Sequence, residues 1–266
     1  MSKDFDGAVV VVTGASTGLG RAIAVQTAEG GAKAVVINFN SSLAEAEETA
    51  AQVRAHGAEA VLAQADVAND DGCKAVAAAA ARFGRIDSLF NNAGMTKFAN
   101  NHADLDAVQM EDFLRLYQVN VVGAFQMIRA ARSLLEAGEA PGAVVNTSSI
   151  AGVIGVGSSV PYAASKGALN TMTISLARAL APKIRVNAVC PGFIDTPWFG
   201  RGMSEETVGK LRASVAKATP LNVASTADDI AASAIFLGSR ASRHITGETL
   251  IVDAGTHLGY APMVAR

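Results

Sequence analysis

The chain has 266 residues, of which 50% are hydrophobic and 17% are charged, and its formal net charge is −2 at pH 7. This length and composition suit one sizeable globular domain with a large buried core. The near-neutral charge gives no electrostatic case for nucleic acid or an anionic membrane as partner, and no hydrophobic run approaches the length that spans a bilayer. Two distant cysteines and four scattered histidines show no metal-binding spacing, so no metal is expected. With only two cysteines, far apart, a reducing cytoplasm is the expected location.

Short hydrophobic runs alternate with longer alanine-rich stretches along the whole chain. The predicted strands are residues 9–12, 34–37, 60–63, 88–90, 143–146, 184–189 and 250–252. The predicted helices are residues 21–29, 43–56, 73–83, 111–137, 162–181 and 227–237. Strands that are hydrophobic throughout indicate burial on both faces of a parallel sheet. The pattern predicts one α/β domain over residues 1–266, a Rossmann fold whose doubly wound, seven-stranded parallel sheet carries helices on both faces.

One irregular segment, residues 195–222, interrupts this alternation with Pro197, Trp198, several glycines and a short amphipathic helix near 204–217. An insertion that directly follows a strand at the ligand edge is typical of a substrate lid or pocket wall. A plain surface excursion is the alternative.

A glycine-rich turn, Thr13-Gly14-Ala15-Ser16-Thr17-Gly18-Leu19-Gly20, follows the first strand and leads into a helix. Gly14 permits the tight turn, Gly18 lets the backbone approach a pyrophosphate, and Gly20 allows close helix–strand packing. The helix N-terminus offers unpaired N–H groups and the positive end of a dipole to the phosphates. The turn therefore predicts a dinucleotide-binding site.

Tyr162 and Lys166 are four residues apart in a predicted helix, so their side chains share one face. A lysine in that position can lower the pKa of a tyrosine from about 10, and such a tyrosine can exchange a proton with an alcohol or a carbonyl. The fifth strand ends at Ser148 and Ser149, either of which could hydrogen-bond a substrate oxygen. The Ser149-x-x-Gly152 spacing and the thirteen residues to Tyr162 favour Ser149.

The Gly-x-x-x-Gly-x-Gly spacing resembles that of the short-chain dehydrogenase/reductase family, and further motifs match in order from about residue 7 to residue 255. They are Asp66-Val67 after the third strand, Asn91-Asn92-Ala93-Gly94 after the fourth, and Pro191-Gly192 with Thr196 after the sixth. Asn120, Ser149, Tyr162 and Lys166 fall where the family keeps its four catalytic residues. The resemblance implies an NAD(P)-dependent oxidoreductase acting on a small secondary alcohol or its ketone. The sequence is equally similar to 3-oxoacyl-carrier-protein reductases and to glucose and polyol dehydrogenases.

The resemblance also implies a role for each site residue. Tyr162 would be the acid in carbonyl reduction and the base in alcohol oxidation, and Lys166 would hold the ribose hydroxyls of the nicotinamide nucleotide. Asn120 would support a water that leads protons to Lys166, while a satisfied core amide is the alternative. The implied cofactor contacts are Gly14, Ser16, Thr17, Gly18, Leu19, Gly20, Asn38, Asn40, Ser41, Asp66, Val67, Asn92, Ala93, Gly94, Tyr162, Lys166, Pro191, Gly192, Ile194 and Thr196.

The end of the second strand bears on the choice of cofactor. An acidic residue there would bind the ribose 2′-hydroxyl of NAD and repel a 2′-phosphate, and residues 38–42 contain none. Asn38, Asn40, Ser41 and Ser42 could donate to a 2′-phosphate instead. Against NADP(H), Thr17 stands where many NADP-using relatives carry an arginine. The prediction is NADP(H), with NAD(H) as an open alternative.

Substrate walls and assembly are expected from hydrophobic segments. The expected wall residues are Thr96, Ile150, residues 153–156, Phe193, Trp198, Phe199 and Met203. The family pairs the helices at 111–137 and 162–181 into a homodimer or homotetramer, and residues 256–266 could close a neighbouring active site or fray. Two other functions stay open: a dinucleotide-binding regulator without turnover, and an epimerase or dehydratase of the extended family. The four filled catalytic positions argue against the first, and the glycine spacing argues against the second.

Overall fold

A single parallel sheet organises the chain, and the computed structural model describes residues 4–99, 101–200 and 204–259. Its strands are β1 (Val9–Val12), β2 (Ala34–Phe39), β3 (Glu59–Gln64), β4 (Ser88–Asn91), β5 (Gly142–Thr147), β6 (Ile184–Pro191) and β7 (Thr249–Val252). Its helices are α1 (Gly18–Glu29), α2 (Leu43–Ala55), α3 (Asp70–Ala81), α4 (Met110–Tyr117), α5 (Ala124–Leu135), α6 (Ala151–Ile154), α7 (Val160–Leu180), α8 (Pro197–Gly200), α9 (Glu205–Ala218) and α10 (Ala227–Gly238). Met203 and residues 260–266, for which roles were predicted, lie outside the described residues.

The sheet has the order β3-β2-β1-β4-β5-β6-β7, and every neighbouring pair is parallel. The predicted seven-stranded, doubly wound α/β fold is confirmed. The order reverses between β1 and β4, so the connections that leave these two strands diverge to opposite halves of the sheet. Parallel strands place their carboxyl ends at one edge, and ligands of such sheets bind in the crevice outside that edge.

Two hydrophobic cores cover the two faces of the sheet. Along β1, Val10 and Val12 pack with residues of α1, α2 and α10, whereas Val9 and Val11 pack with residues of α3, α5 and α7. All four valines are at most 1% exposed, and each buried side chain contributes roughly 1.5–3 kcal/mol relative to an exposed one. Burial on both faces explains why the strands show no alternation of hydrophobic and polar residues.

The predicted helix at 111–137 is wrong as a single regular helix. Between α4 and α5 the backbone forms a π-helix at Gln118–Gly123, with Asn120 inside it. A π-helix bonds residue i to residue i+5, and such segments inside α-helices are frequent at functional sites. At Gly123 a Cβ atom would lie 2.7 Å from the carbonyl oxygen of Val67, so the absence of a side chain lets this segment approach the turn after β3.

The excursion at residues 195–222 contains α8 and α9, and α9 matches the predicted helix at 204–217. Its two ends meet, because the Asp195 N–H donates to the carbonyl of Ser225 (2.9 Å) and Asp195 forms a parallel bridge with Thr226. An ion pair between Arg212 and Asp195 (2.5 Å) ties α9 back to the start of the excursion. Among the described residues, no helix combines the length and hydrophobicity needed to cross a membrane.

Candidate active site

The glycine-rich turn lies between β1 and α1 at the carboxyl edge, and two of its positions favour glycine, Gly20 because of close contacts and Gly18 because of its positive φ. A Cβ atom at Gly20 would lie 2.3 Å from the carbonyl oxygen of Gly14 and 2.6 Å from Nδ2 of Asn92. Gly18 has φ +55°, and a Cβ there would lie 3.4 Å from Cγ2 of Thr196. The turn is therefore packed tightly against Asn92 of the loop after β4, and Thr196, in the segment after β6, lies beside Gly18.

Thr13 and Asn92 join the glycine turn to the loop after β4. The hydroxyl of Thr13 accepts the N–H groups of Asn92 (3.0 Å) and Ala93 (2.9 Å). In return Nδ2 of Asn92 donates to the carbonyls of Thr13 and Gly14, both at 3.1 Å. Thr13 was not among the predicted site residues. Only its position directly before the glycine turn could have identified Thr13 in the sequence, because a single threonine does not indicate this structural role by itself.

The N-terminus of α1 fits an anionic group. Its first turn contains no acidic residue, and the N-cap residue Thr17 makes no side-chain cap bond, so neither masks the backbone N–H groups at this end of the helix. The side chain of Leu19 is buried in the core, which leaves only its backbone for a ligand. Together with the close-packed glycines, these features fit the pyrophosphate of a dinucleotide.

The predicted contact between Asn38 and a 2′-phosphate is wrong for its side chain. Asn38 is 2% exposed, and its Nδ2 donates to the carbonyls of Ala63 and Ala65, both at 3.0 Å. Its Oδ1 accepts the Gly14 N–H at 3.3 Å. Because both amide hydrogens serve the scaffold, Asn38 fixes the turn and has no donor left for a phosphate. Asn40 and Ser41, which follow β2, have exposed side chains at the same edge.

Asp66 and Val67 follow β3 at the far side of the edge. The carboxylate of Asp66 accepts the N–H of Ala68 at 2.9 Å, which closes a local turn. Val67 is 7% exposed and packs into the core, and its carbonyl oxygen lies 3.4 Å from Sγ of Cys73. Val67 can therefore meet a ligand only through its backbone, and the predicted adenine contact of this pair stays a prediction.

Tyr162 and Lys166 lie in the first turns of α7. Ser159 is the N-cap, its hydroxyl accepting the Tyr162 N–H at 3.3 Å, and Pro161 stands in the first turn, where a missing N–H costs nothing. Lys166 is 4% exposed and its Nζ donates to the carbonyl of Thr147 at 2.7 Å. The Nζ atom lies 5.8 Å from the centroid of the Tyr162 ring, so the predicted shared face is confirmed.

The predicted lowering of the Tyr162 pKa by Lys166 is wrong for the side chains in this arrangement. Burial raises the pKa of Tyr162 to about 12, and its hydrogen bond with Ser149 acts in the opposite direction. Burial likewise lowers the pKa of Lys166 to about 8. Burial is thus the main cause of both shifts, and the ammonium group of Lys166, which bonds to the carbonyl of Thr147, does not reverse the shift of Tyr162.

Ser148 and Ser149 have different surroundings. Ser148 is 3% exposed and its hydroxyl donates to the carbonyl of Lys166 at 3.2 Å, which holds β5 against α7. Ser149 is only partly buried, accepts the Ala151 N–H at 3.1 Å and hydrogen-bonds Tyr162. The structure therefore brings Ser149, and not Ser148, to the phenol of Tyr162.

Asn120 is 1% exposed and its amide is fully engaged. Oδ1 accepts the Met95 N–H (2.9 Å), while Nδ2 donates to the Met95 carbonyl and to Oγ of Ser165, both at 3.0 Å. A Cβ at Gly94 would lie 3.3 Å from Oδ1 of Asn120 and 3.7 Å from Nζ of Lys166, so these three residues adjoin. The side-chain amide of Asn120 is thus fully hydrogen-bonded within the protein, as the alternative expected. Its support of a water that leads protons to Lys166 stays a prediction.

The loop after β6 lies at the same edge of the sheet and carries the last group of predicted cofactor contacts. At Gly192 a Cβ would lie 2.8 Å from Cβ of Asp253, so this loop is pressed against the end of β7. Ile194 packs on the core, and Thr196 meets Gly18 as described above. Asp253, which sequence reasoning missed, accepts the N–H groups of Gly255 (2.9 Å) and His257 (2.7 Å) and pairs with the His257 ring.

The expected substrate walls are hydrophobic and open to solvent. Val153 is 46% exposed, Ile154 40%, Val156 65% and Trp198 39%, which is unusual exposure for large apolar side chains. Thr96 hydrogen-bonds the hydroxyl of Ser158, so the loop after β4 is joined to the loop before α7. A separate cavity of about 110 Å³ lies at the opposite, amino edge of the sheet, beside Arg85 and Arg185. It is distant from the residues predicted to react.

Comparisons with known proteins agree with this arrangement. A family model described as enoyl-(acyl carrier protein) reductase matches residues 14–257. Ketoacyl reductase 2 of the granaticin polyketide synthase of Streptomyces violaceoruber is 39% identical over 94% of this chain and 96% of its own length. Glucose 1-dehydrogenase 2 of Bacillus subtilis is 35% identical over 97% of this chain and 98% of its own. A solved short-chain dehydrogenase/reductase of Burkholderia xenovorans has a TM-score of 0.86 at 39% identity, covering 95% of this chain and 98% of that one.

Proposed function

Because the chain belongs to the short-chain dehydrogenase/reductase family and is an NAD(P)-dependent oxidoreductase that transfers a hydride between the nicotinamide cofactor and an alcohol or ketone, we propose that it uses NADP(H) to reduce a ketone on a largely hydrophobic small molecule. The observation that carries the choice of cofactor is the end of β2. The strand is followed by the exposed Asn40 and Ser41, with no carboxylate between residues 38 and 42 to repel a 2′-phosphate.

The side chains of the site supply a proton donor and an orienting hydrogen bond. Ser149 donates to the ketone oxygen and fixes it beside the phenol of Tyr162. With a pKa raised to about 12, Tyr162 keeps its proton at neutral pH and transfers it to that oxygen as the alcohol forms. The ammonium group of Lys166 lies over the Tyr162 ring and favours the phenolate left behind. When bound, the nicotinamide supplies the hydride.

Protein groups that would hold the cofactor are those at the carboxyl edge. The backbone N–H groups of the glycine turn and the N-terminus of α1 would take the pyrophosphate, and Asn40 and Ser41 the 2′-phosphate. Asn92, Ala93, Gly94, Pro191, Gly192, Ile194 and Thr196 would surround the nicotinamide half. Lys166 would bind the ribose hydroxyls through Nζ. These groups follow β1, β2, β4 and β6 or lie in the first turns of α1 and α7, at the sheet edge where doubly wound folds bind dinucleotides.

The proposed substrate class follows from the exposed hydrophobic walls. The exposed side chains of Val153, Ile154, Val156 and Trp198, if they line the substrate site as expected, favour a carbon skeleton with few hydroxyl groups. The relative from the granaticin polyketide synthase carries the name of a ketoacyl reductase, which agrees with such a substrate. The glucose 1-dehydrogenase relative makes sugars the natural comparison in a screen.

Residues 195–222 are proposed to form a lid that closes over this pocket, within a single catalytic domain. The contact between Thr196 and Gly18 supports this role, since it joins the lid to the cofactor turn. A homotetramer or homodimer is proposed through α4, α5 and α7. On these helices Leu114 is 61% exposed, Phe125 is 42% exposed and Ile174 is 45% exposed. The buried, free Cys73 and Cys190 support a reducing cytoplasm as the location.

The test is a fluorescence titration of the purified protein with NADPH and with NADH, followed by a rate comparison on ketones and sugars. The proposal expects tighter binding of NADPH and faster reduction of a hydrophobic ketone than oxidation of glucose. Asn40→Asp should shift the preference toward NADH by about tenfold, since a carboxylate would face the 2′-phosphate. Preference for NADH in the unaltered protein would contradict the cofactor assignment, and faster turnover of sugars would contradict the substrate class.

A further inference from the structure

Arg21, in the first turns of α1, makes an unusual set of contacts with the glycine turn. Its Nε and Nη2 atoms donate to the carbonyl oxygen of Ser16 at 3.1 and 2.8 Å. Oγ1 of Thr49, which is fully buried in α2, lies 3.1 Å from the same oxygen. The Ser16 carbonyl is therefore held by Arg21 of α1, and it shares the single O–H of Thr49 of α2 with the carbonyl of Glu45, which lies 3.0 Å from Oγ1.

The same guanidinium ties the turn to α2. Nη2 of Arg21 donates to the carbonyl of Glu45 (3.0 Å) and pairs with the carboxylate of Glu48 (3.1 Å), and Nε lies 2.9 Å from Oγ1 of Thr49. Asn40 and Ser41 lie just before Ser42, the N-cap of α2, so the position of α2 affects the residues proposed to take the 2′-phosphate. Arg21 thus connects the glycine turn with the helix that follows those residues.

The held carbonyl determines where the next N–H group points. A trans peptide is planar, and its C=O and N–H bonds point in opposite directions. With the Ser16 carbonyl directed at Arg21 and Thr49, the N–H of Thr17 is directed away from them, and within the described residues it donates no hydrogen bond. An N–H fixed in this way beside the N-terminus of α1 is a preorganised donor for an anionic ligand.

We propose that Arg21 is a positioning residue for the dinucleotide: it orients the Ser16–Thr17 peptide and holds α2 against the glycine turn without touching the 2′-phosphate. The inference rests on the dinucleotide binding within the proposed function, and not on the choice of NADP(H). A positioning role requires that NADPH and NADH lose affinity equally when Arg21 is changed. Direct pairing with the 2′-phosphate would instead confine the loss to NADPH.

The test measures Kd for NADPH and for NADH, together with kcat at saturating cofactor, in Arg21→Lys and Arg21→Gln. Arg21→Lys keeps the positive charge but loses the planar guanidinium, and Arg21→Gln loses both. Each variant should bind each cofactor about tenfold more weakly, with kcat within about twofold of the unaltered protein. Thr49→Val should weaken both cofactors in the same ratio, and Thr49→Ser, which keeps the hydroxyl, should restore them. Glu48→Gln should leave both Kd values unchanged, because it removes only the exposed ion pair.

Arg54, an exposed arginine of α2 that pairs with Glu47, supplies the matched control: Arg54→Gln should change neither Kd. Thermal unfolding of each variant separates lost binding from lost folding, and Arg21→Lys keeps the test decisive if Arg21→Gln fails to fold. Unchanged affinity in Arg21→Lys, or a loss for NADPH alone, overturns the inference and leaves the proposed function standing. If the unaltered protein prefers NADH, only the proposed preference for NADP(H) is contradicted. If it binds neither cofactor, both the proposed function and the positioning role of Arg21 are contradicted.

Discussion

Nδ2 of Asn120 donates a hydrogen bond of 3.0 Å to Oγ of Ser165, the residue that directly precedes Lys166 in α7. Ser165 in turn donates to the carbonyl of Tyr162 at 2.7 Å, and it is fully buried. The π-helix is thereby connected to the turn of α7 that carries Tyr162 and Lys166. On its other side Asn120 holds the backbone of Met95, so one amide sets the distance between the loop after β4 and α7.

Ser165→Ala should reduce kcat by about tenfold and leave the cofactor Kd unchanged. The substitution leaves a buried N–H of Asn120 without an acceptor, which costs about 1–3 kcal/mol and lets α7 shift relative to Met95. Steady-state kinetics and a cofactor titration check this, with Ser175→Ala, at an exposed position of the same helix, as the control. A kcat equal to that of the control would show that the Asn120–Ser165 bond does not position Tyr162.

Tyr162→Phe should reduce turnover by about 10²- to 10⁴-fold, because it removes the proton donor and keeps the ring. Binding of the cofactor should stay within about twofold, since the ring and Lys166 are retained. Single-turnover reduction and a fluorescence titration measure the two quantities separately. An active Tyr162→Phe protein would end the assignment of this residue as the acid.

The two adjacent serines should respond differently to the same change. Ser149→Ala should lower kcat/KM for the ketone by about 10²-fold, because it removes the hydrogen bond to the carbonyl oxygen. Ser148→Ala should chiefly lower stability, by about 1 kcal/mol, because its hydroxyl bonds to the carbonyl of Lys166 inside the protein. Kinetics and thermal unfolding of both variants distinguish them. The reverse pattern would exchange their roles.

The rate of ketone reduction should fall as the pH rises through about 8. Burial lowers the pKa of Lys166 to about 8, so its ammonium form is present below that pH and is lost above it. Tyr162 keeps its proton over the same range, because burial raises its pKa to about 12. A profile of kcat/KM against pH measures the effect, and Lys166→Arg, which stays charged, should remove the alkaline limb. A flat profile up to about pH 10 would show that the charge of Lys166 is not required.

Breaking the ion pair of the lid should weaken the substrate and spare the cofactor. Arg212 of α9 pairs with Asp195 at the start of the excursion, with side chains 55% and 21% exposed. A pair this exposed is worth at most about 1 kcal/mol, so Arg212→Met should raise KM for the ketone by up to about fivefold. Lys210→Met, which breaks the fully exposed pair with Glu206, is the control. Equal KM values for the two variants would contradict a lid held by Arg212.

The sheet could be predicted because its signals are local. The valines of β1 are hydrophobic in sequence since both faces of the strand are covered, and each strand needed only a short run of this kind. Tyr162 and Lys166 were found for a similar reason. A spacing of four is set by helix geometry alone, and α7 begins with the signals of Ser159 and Pro161.

The orientation of Asn38 could not be predicted, because it depends on a neighbouring strand. Nδ2 reaches the carbonyls of Ala63 and Ala65 only when β2 pairs with β3 in the observed register. The pKa of Tyr162 was missed because burial, which depends on the packing around α7, outweighs the nearby ammonium group. The contacts of Arg21 with Ser16 and Thr49 likewise join segments that are far apart in sequence.

The π-helix at Gln118–Gly123 holds one residue more than a regular helix would place in the same turn. Removing that residue would restore ordinary bonding between α4 and α5, and it would rotate everything on one side by about 100° around the helix axis. The amide of Asn120 would then turn away from Met95 and Ser165. The extra residue of the π-helix thus fixes the rotation of one helix segment relative to the other. Deleting one residue here would remove the contacts of Asn120 without changing the hydrophobic pattern of either helix.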